Sequence, residues 1–181
     1  IGRLLRDKGV TEFVDAARRI KSRHPTARFQ LLGATDAENR SAIDASTLQK
    51  WLNEGVVEYL GTTDDVRHAI EDASCVVLPS YREGAPRALI EAAAMALPLI
   101  ATDVPGCRSV VDHGVSGLLC EPRNAQSLAD SIETMLGLSP AERTAMGHAG
   151  RAKMERAFGH DIVVEAYRSV ISRISSGQKG G

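Results

Sequence analysis

The stretch EGAPRALIE, residues 83–91, decides the fold of this chain. It follows an apolar run at 75–78 and the turn-like Pro79-Ser80, and it leads through several alanines to Pro98 and a second apolar run at 99–101. A strand, a helix and a further strand in succession are typical of a parallel βαβ unit. The sequence therefore predicts a Rossmann-like, doubly wound α/β domain with a parallel sheet.

Two carboxylates flank the start of the predicted helix. Glu83 lies in the loop, Pro86 suits the first helical position, and Glu91 falls in the second turn. The first turn also offers unpaired N–H groups and the positive end of the helix dipole. Alanines and Met95 around Glu91 predict a buried carboxylate, which ribose hydroxyls would satisfy. The pattern favours a sugar-nucleotide site. Two alternatives stay open: Glu83 could be an exposed loop acid, and Glu91 could be a helix former on a solvent-facing side.

The same alternation continues along the chain. Residues 1–4 are predicted to end a strand, and further strands are predicted at 29–32, 56–60, 75–78, 99–102 and 117–120. Helices are predicted at 10–20, 48–52, 62–73, from Pro86, around 110–111, after Asn124, from Ser139 and at 162–174. We expect one domain over 1–174 and a disordered tail at 175–181.

Composition bounds the class of protein. The 181 residues suffice for one sizeable core, and a net charge of −1 gives no electrostatic reason to expect nucleic acid as a partner. Cys75, Cys107 and Cys120 lack metal-ligand spacing, which favours structural thiols in a reducing compartment. The abrupt start at Ile1 suggests a fragment of a longer protein. No apolar run approaches the roughly 20 residues of a spanning helix. A cytoplasmic location is expected.

Several residues collect at one edge of the predicted sheet. Ligands of open parallel sheets bind beyond the carboxyl ends of the strands. Arg3 and Lys8 follow the first strand, Gly33 the second, Gly61 the third and residues 83–91 the fourth. Arg3 could hold a phosphate as a fork and Lys8 as a point charge, or both could be solvated loop cations.

Other chemistries lack their sequence patterns. No G-x-G-x-x-G follows a strand, and no Walker loop is present. The five histidines are scattered, and none pairs at helical metal-ligand spacing. Ser80 follows a strand without a nucleophile elbow, which argues against a serine hydrolase.

Three motifs, taken in order, resemble the C-terminal, donor-binding domain of the retaining GT-B glycosyltransferases of glycosyltransferase family four. The similarity covers essentially the whole chain, and Ala96 departs from it because many relatives carry glycine there. A further stretch, 33–39, is similar to members that build bacterial surface polysaccharides. The three motifs are IGRL (1–4) with Lys8-Gly9, PSYREGAPRALIEA (79–92), and VPGC (104–107) continuing through Gly114 to GLL (117–119).

The resemblance implies a role for each residue of the site. Arg3 and Lys8 would bind the donor diphosphate and stabilise the departing nucleoside diphosphate without a metal. Glu91 would hold the ribose, and Glu83 would contact hydroxyls of the transferred sugar near the anomeric centre. The implied catalytic residues are Arg3, Lys8 and Glu83, and the implied donor-binding residues are Gly2, Arg3, Lys8, Gly33, Gly61, Glu83, Gly84, Ala85, Pro86 and Glu91. No cofactor is implied, and the substrate would be a nucleoside-diphosphate sugar, with UDP as the expected nucleotide.

The resemblance also implies partners outside this chain. An N-terminal domain would bind the saccharide or lipid-linked acceptor, and helix 162–174 would pack toward it. We expect this chain alone to bind nucleotide weakly and to transfer no sugar, while the longer protein retains anomeric configuration. Its attachment to the inner face of the cytoplasmic membrane stays open. The alternatives are a sugar-nucleotide epimerase of GT-B architecture and a non-catalytic nucleotide-binding module.

Overall fold

The computed structural model describes residues 1–36, 39–158 and 168. Within them strands and helices alternate as expected, and a short 3₁₀ turn, Arg6–Lys8, precedes the first helix. The strands are β1 (Gln30–Leu31), β2 (Glu58–Tyr59), β3 (Val76–Leu78), β4 (Leu99–Thr102) and β5 (Gly117–Cys120). The helices are α1 (Val10–Lys21), α2 (Ala45–Asn53), α3 (Arg67–Glu71), α4 (Arg87–Ala94), α5 (Pro105–Val110), α6 (Ala125–Gly137) and α7 (Pro140–Phe158).

The named strands of the described residues all pair in parallel. β1 pairs with β2, and β3, β4 and β5 form a second sheet in that order. The opening segment is extended but forms no named strand, in contrast to the predicted strand end: Gly2 N–H donates to the Leu32 carbonyl and Leu4 N–H to the Ala34 carbonyl, each at 2.8 Å. Within each sheet, parallel pairing puts the carboxyl ends of neighbouring strands at the same edge.

Helices cover both faces of the three-stranded sheet. All four residues of β4 are buried, as expected for a central strand of a parallel sheet. Because side chains alternate along a strand, Ile100 joins the apolar cluster under α1 and α6, whereas Leu99 and Ala101 join the cluster under α4 and α7. Helices on both faces of a parallel sheet make the predicted doubly wound architecture.

Two predicted helix starts are confirmed by their capping contacts. The Asn124 side chain accepts from the backbone N–H groups of Gln126 and Ser127, each at 3.0 Å, at the start of α6. At the start of α7, the Ser139 N–H donates to Glu142 Oε2 at 2.7 Å, and the Glu142 N–H donates to Ser139 Oγ at 3.3 Å. This reciprocal pair is the predicted capping box.

Two other predicted starts were wrong. Helix α3 begins at Arg67 rather than at 62, because Thr63 and Asp65 accept local backbone N–H bonds and form a turn first. Pro86 precedes α4 instead of starting it, since its ψ of 86° is not helical. Val110 lies in a short helix as predicted, but this helix, α5, runs from Pro105 to Val110, so Val111 falls just outside it.

The predicted helix 162–174, apart from Arg168, and the tail 175–181 lie outside the described residues. Within the described part of the chain, no helix combines the length and the apolar character that a membrane crossing requires.

Candidate functional site

Two loops touch at the carboxyl edge of the sheet, and each carries one charged residue of the predicted site. A Cβ on Gly9, whose φ is 70°, would lie 2.0 Å from the Pro79 carbonyl oxygen, so the backbones approach closely only because this residue is glycine. The Tyr81 N–H donates to the Asp7 carbonyl at 2.9 Å. As a result, Lys8 Nζ lies 2.6 Å from Glu83 Oε1, in an ion pair whose side chains are 28% and 11% exposed.

The backbone of Glu83 is held from the opposite side by α5. A Cβ on Gly106 would lie 2.3 Å from the Glu83 carbonyl oxygen and 2.7 Å from that of Gly84. The hydroxyl of Thr102, at the end of β4, donates to the carbonyl of buried Ser80 in the same loop. The Glu83 loop is thus fixed between the end of β4, the start of α5 and the Lys8 loop.

Tyr81 anchors this loop to α1. Its hydroxyl donates to Glu12 Oε1 at 2.6 Å, and the Arg123 guanidinium lies over its ring, 4.7 Å from the centroid. Burial and the Glu12 carboxylate raise the pKa of Tyr81 to about 12, so the phenol stays protonated and donates. Neither Tyr81 nor Glu12 is among the predicted site residues, and their contact ties the loop that carries Glu83 to α1.

A cavity of about 300 Å³ opens beside the Lys8–Glu83 pair and extends between β1 and β3. Most of the predicted site residues line it, together with Arg87, which the sequence prediction left out. The predicted residues in its wall are Gly2, Arg3, Lys8, Glu83, Ala85 and Pro86. The remaining four, Gly33, Gly61, Gly84 and Glu91, are not in its wall.

The other cation of the predicted site has its own partner. Arg3 Nη1 lies 3.0 Å from Asp36 Oδ2, and the Arg3 side chain is 57% exposed. Arg3 and Lys8 therefore share one cavity, but each is paired with a different carboxylate. An incoming phosphate would compete with Asp36 for the first cation and with Glu83 for the second.

Glu91 is half-exposed, which corrects the expectation of a buried carboxylate. Its side chain is 39% exposed, and Glu91 Oε1 lies 3.5 Å from the Arg87 guanidinium one turn earlier. Leu89, Ala92 and Ala93 carry the buried face of α4. The alanine-rich composition predicted the buried face but not the side of the helix on which Glu91 lies.

The two glycines after β1 and β2 bring chain segments together. Gly33 N–H donates to the Gly61 carbonyl at 2.8 Å, and a Cβ on Gly33 would lie 2.0 Å from the Gly2 carbonyl oxygen. The Tyr59 hydroxyl also donates to the Gly33 carbonyl, at 3.0 Å. Gly33 therefore lets the opening segment lie directly against the end of β1.

A second cavity, of about 480 Å³, is larger but lies at a different part of the strands. Its wall includes residues that precede β1 and β3, so it reaches the amino ends of these strands. The two arginines in its wall are engaged: Arg28 pairs with Glu58 at 2.7 Å, and Arg143 donates to the Leu138 carbonyl. Since ligands of parallel sheets bind at carboxyl ends, the smaller cavity is the better candidate despite its size.

The thiols contribute no reactive group. Burial raises the pKa of Cys75 and of Cys120 to about 12 and that of Cys107 to about 11, so all three stay protonated near neutral pH. In the part of the chain that the structure describes, no three His, Cys, Asp or Glu residues are grouped to hold a metal ion.

Comparison with known proteins places the chain in a family. Residues 1–137 match the family model described as glycosyl transferases group 1. The chain is 29% identical to the N,N'-diacetylbacillosaminyl-diphospho-undecaprenol alpha-1,3-N-acetylgalactosaminyltransferase of Campylobacter jejuni, with 96% of this chain and 44% of that protein covered. It is 27% identical to the capsular polysaccharide biosynthesis glycosyltransferase CapM of Staphylococcus aureus, with coverages of 99% and 47%.

Solved structures agree with this assignment. Sucrose-phosphate synthase of Thermosynechococcus elongatus superposes with a TM-score of 0.84 at 26% identity, over 98% of this chain and 45% of that one. HepE of Anabaena, solved in complex with UDP, superposes with a TM-score of 0.79 at 24% identity, over 97% and 48%. The chain spans about half the length of the curated relatives it matches. It belongs to the group 1 glycosyltransferases and has the fold of one half of a GT-B enzyme.

Proposed function

We propose that this chain is the donor-binding half of a glycosyltransferase that uses a nucleoside-diphosphate sugar, with UDP as the nucleotide. The observation that carries the proposal is the Lys8–Glu83 ion pair beside the cavity at the carboxyl edge. A nucleoside-diphosphate sugar needs cations for its phosphates and acceptors for its hydroxyls. Both are present here within hydrogen-bonding distance of each other.

Donor binding would exchange the partners of this ion pair. The diphosphate takes the Lys8 ammonium, which leaves the Glu83 carboxylate free to accept hydrogen bonds from sugar hydroxyls. Arg3 exchanges Asp36 for the other phosphate. Because Lys8 is already mostly buried and held by the fold, little reorganisation accompanies its exchange of partners.

The same groups would assist the chemical step. As the bond between the anomeric carbon and the diphosphate oxygen breaks, negative charge grows on the departing diphosphate, and Lys8 and Arg3 stabilise it electrostatically without a metal. Glu83 holds the sugar near its anomeric carbon. Glu91 holds the ribose, for which its half-exposed position on α4 is accessible. We propose retention of anomeric configuration for the complete reaction.

The comparisons support the class of donor and the biological role. HepE, which shares the fold, was solved with UDP, and CapM is named for capsular polysaccharide biosynthesis. We infer that the longer protein extends a bacterial surface polysaccharide on a saccharide or lipid-linked acceptor, in the cytoplasm. An N-terminal domain would supply the acceptor site, so the 181-residue chain binds donor but transfers no sugar.

Calorimetric titration tests the proposal. UDP, GDP and 2′-deoxy-UDP are added to the chain and to its Glu91→Gln variant. We expect saturable UDP binding, weaker GDP binding, and a loss of affinity on removal of the 2′-hydroxyl that largely disappears in Glu91→Gln. Saturable binding that is equal for all three nucleotides, or unchanged by the substitution, would favour a non-catalytic nucleotide-binding module. No binding would overturn the proposal.

A further inference from the structure

Arg87 occupies a position that disfavours a cation. It is the first residue of α4, where the helix dipole is positive, and its side chain is 88% exposed. Its pair with Glu91 has the cation nearer the helix N-terminus, which is the weaker orientation of an i,i+4 pair. Residues that break a local rule are concentrated at functional sites.

Arg87 also lines the cavity beside the Lys8–Glu83 pair. The cavity wall contains three cationic side chains, Arg3, Lys8 and Arg87, and a single carboxylate side chain, Glu83. The first two form hydrogen-bonded ion pairs at 3.0 and 2.6 Å. The Arg87 guanidinium, by contrast, lies as far as 3.5 Å from the Glu91 carboxylate and makes no side-chain hydrogen bond among the described residues. It is therefore the cation in this wall that an anion can recruit most easily.

We propose that Arg87 is a further donor-binding residue, which contacts the diphosphate together with Lys8. This inference rests on the proposed function and deepens it. A guanidinium presents five N–H donors in a planar fork, which matches two phosphate oxygens and leaves donors for Glu91. Arg87 thus links the diphosphate to the carboxylate that holds the ribose. Its unfavourable place at the start of α4 is offset only when the anion is bound.

The test measures affinity and stability together in the 181-residue chain. Arg87→Gln is titrated with inorganic pyrophosphate, UDP and uridine, and its Tm is measured without ligand. Pyrophosphate and UDP affinities should fall about tenfold, the loss typical of one charge-assisted hydrogen bond, with uridine binding unchanged. Because a cation leaves the positive end of the helix dipole, the Tm should stay constant or rise.

Arg82→Gln is the matched control. Arg82 is exposed, lies five residues earlier in the same motif and is not in the cavity wall, so its substitution changes the net charge equally. It should alter pyrophosphate affinity less than about twofold, since an exposed charge away from the ligand is screened. Equal losses of pyrophosphate affinity in both variants would indicate a long-range electrostatic effect of the net charge and would overturn the inference. Unchanged affinity with a lower Tm in Arg87→Gln would also overturn it.

The two proposals fail in different ways. If pyrophosphate binds in an Arg87-dependent manner but UDP does not bind, the proposed UDP donor is wrong, and only the contact between Arg87 and a diphosphate stands. If UDP binds and Arg87→Gln leaves its affinity unchanged, Arg87 has no such role and the proposed function stands. If neither ligand binds, both proposals are wrong.

Discussion

At the scale of single residues, the Lys8–Glu83 pair shows how far sequence reasoning reaches. The two positions are 75 apart in the chain, and the βαβ pattern alone puts both at one edge of the sheet. Their contact depends on a close approach of Gly9 to Pro79, which no periodicity reveals. The sequence therefore predicted that Lys8 and Glu83 lie at the same edge, but it treated the cation and the carboxylate as separate ligand contacts, whereas in the free chain they form an ion pair.

This pairing makes Lys8 and Glu83 energetically dependent on each other. Lys8→Met leaves a mostly buried carboxylate without its cation, and the free energy of unfolding should fall by about 1–3 kcal/mol. Glu83→Gln should cost less, because an amide needs no counter-charge. Urea denaturation of both variants and of the double variant measures the coupling. Strictly additive losses would contradict an ion pair in solution.

At the scale of elements, helix and strand order were predictable, and some helix starts were not. Periodicity and capping residues placed α1, α6 and α7, because these signals are local. The start of α3 was wrong since Thr63 and Asp65 serve a turn instead of a cap. The predicted burial of Glu91 was wrong, because alanines do not by themselves indicate which side of α4 is buried.

The loop carrying Glu83 should depend on the small size of Gly106. Gly106→Ala puts a Cβ 2.3 Å from the Glu83 carbonyl oxygen, so the loop must shift and UDP affinity should fall about tenfold or more. Titration and thermal unfolding measure both effects.

Gly137→Ala provides the comparison for this substitution. Gly137 ends α6, and a Cβ there would meet no atom within 4 Å. UDP affinity should be unchanged and the free energy of unfolding unchanged or slightly higher, because alanine favours a helix. If Gly106→Ala behaved in the same way, the packing of α5 against the Glu83 loop would not matter for binding.

At the scale of the whole molecule, exposed carboxylates tie stability to pH. Hydrogen bonds from Arg28 and then Gln30 lower the pKa of Glu58 from 4.5 to about 2. Hydrogen bonds donated by His24 and by Ser139 likewise lower the pKa values of Glu133 and Glu142. A carboxylate with a lowered folded-state pKa stabilises the fold above its unfolded value and loses that contribution as the pH falls toward the folded value.

The fold should therefore lose stability on acidification. We expect the Tm to be nearly level around neutral pH and to decline from about pH 5 to about pH 2. Thermal unfolding across this range measures the decline. Glu58→Gln should have a lower Tm at pH 7 and a shallower decline, because its amide does not titrate. A Tm that is independent of pH below 5 would contradict these pairings.

The central claim is that a nucleotide binds at the carboxyl edge, between the Lys8 loop and α4, and not in the larger cavity. Mapping of backbone amide chemical shifts during titration with UDP tests this most directly. We predict that the perturbed amides cluster at residues 2–9 and 83–91. Perturbations centred on residues 26–29 and 72–76, which line the larger cavity, or no perturbation at saturating UDP, would contradict the claim.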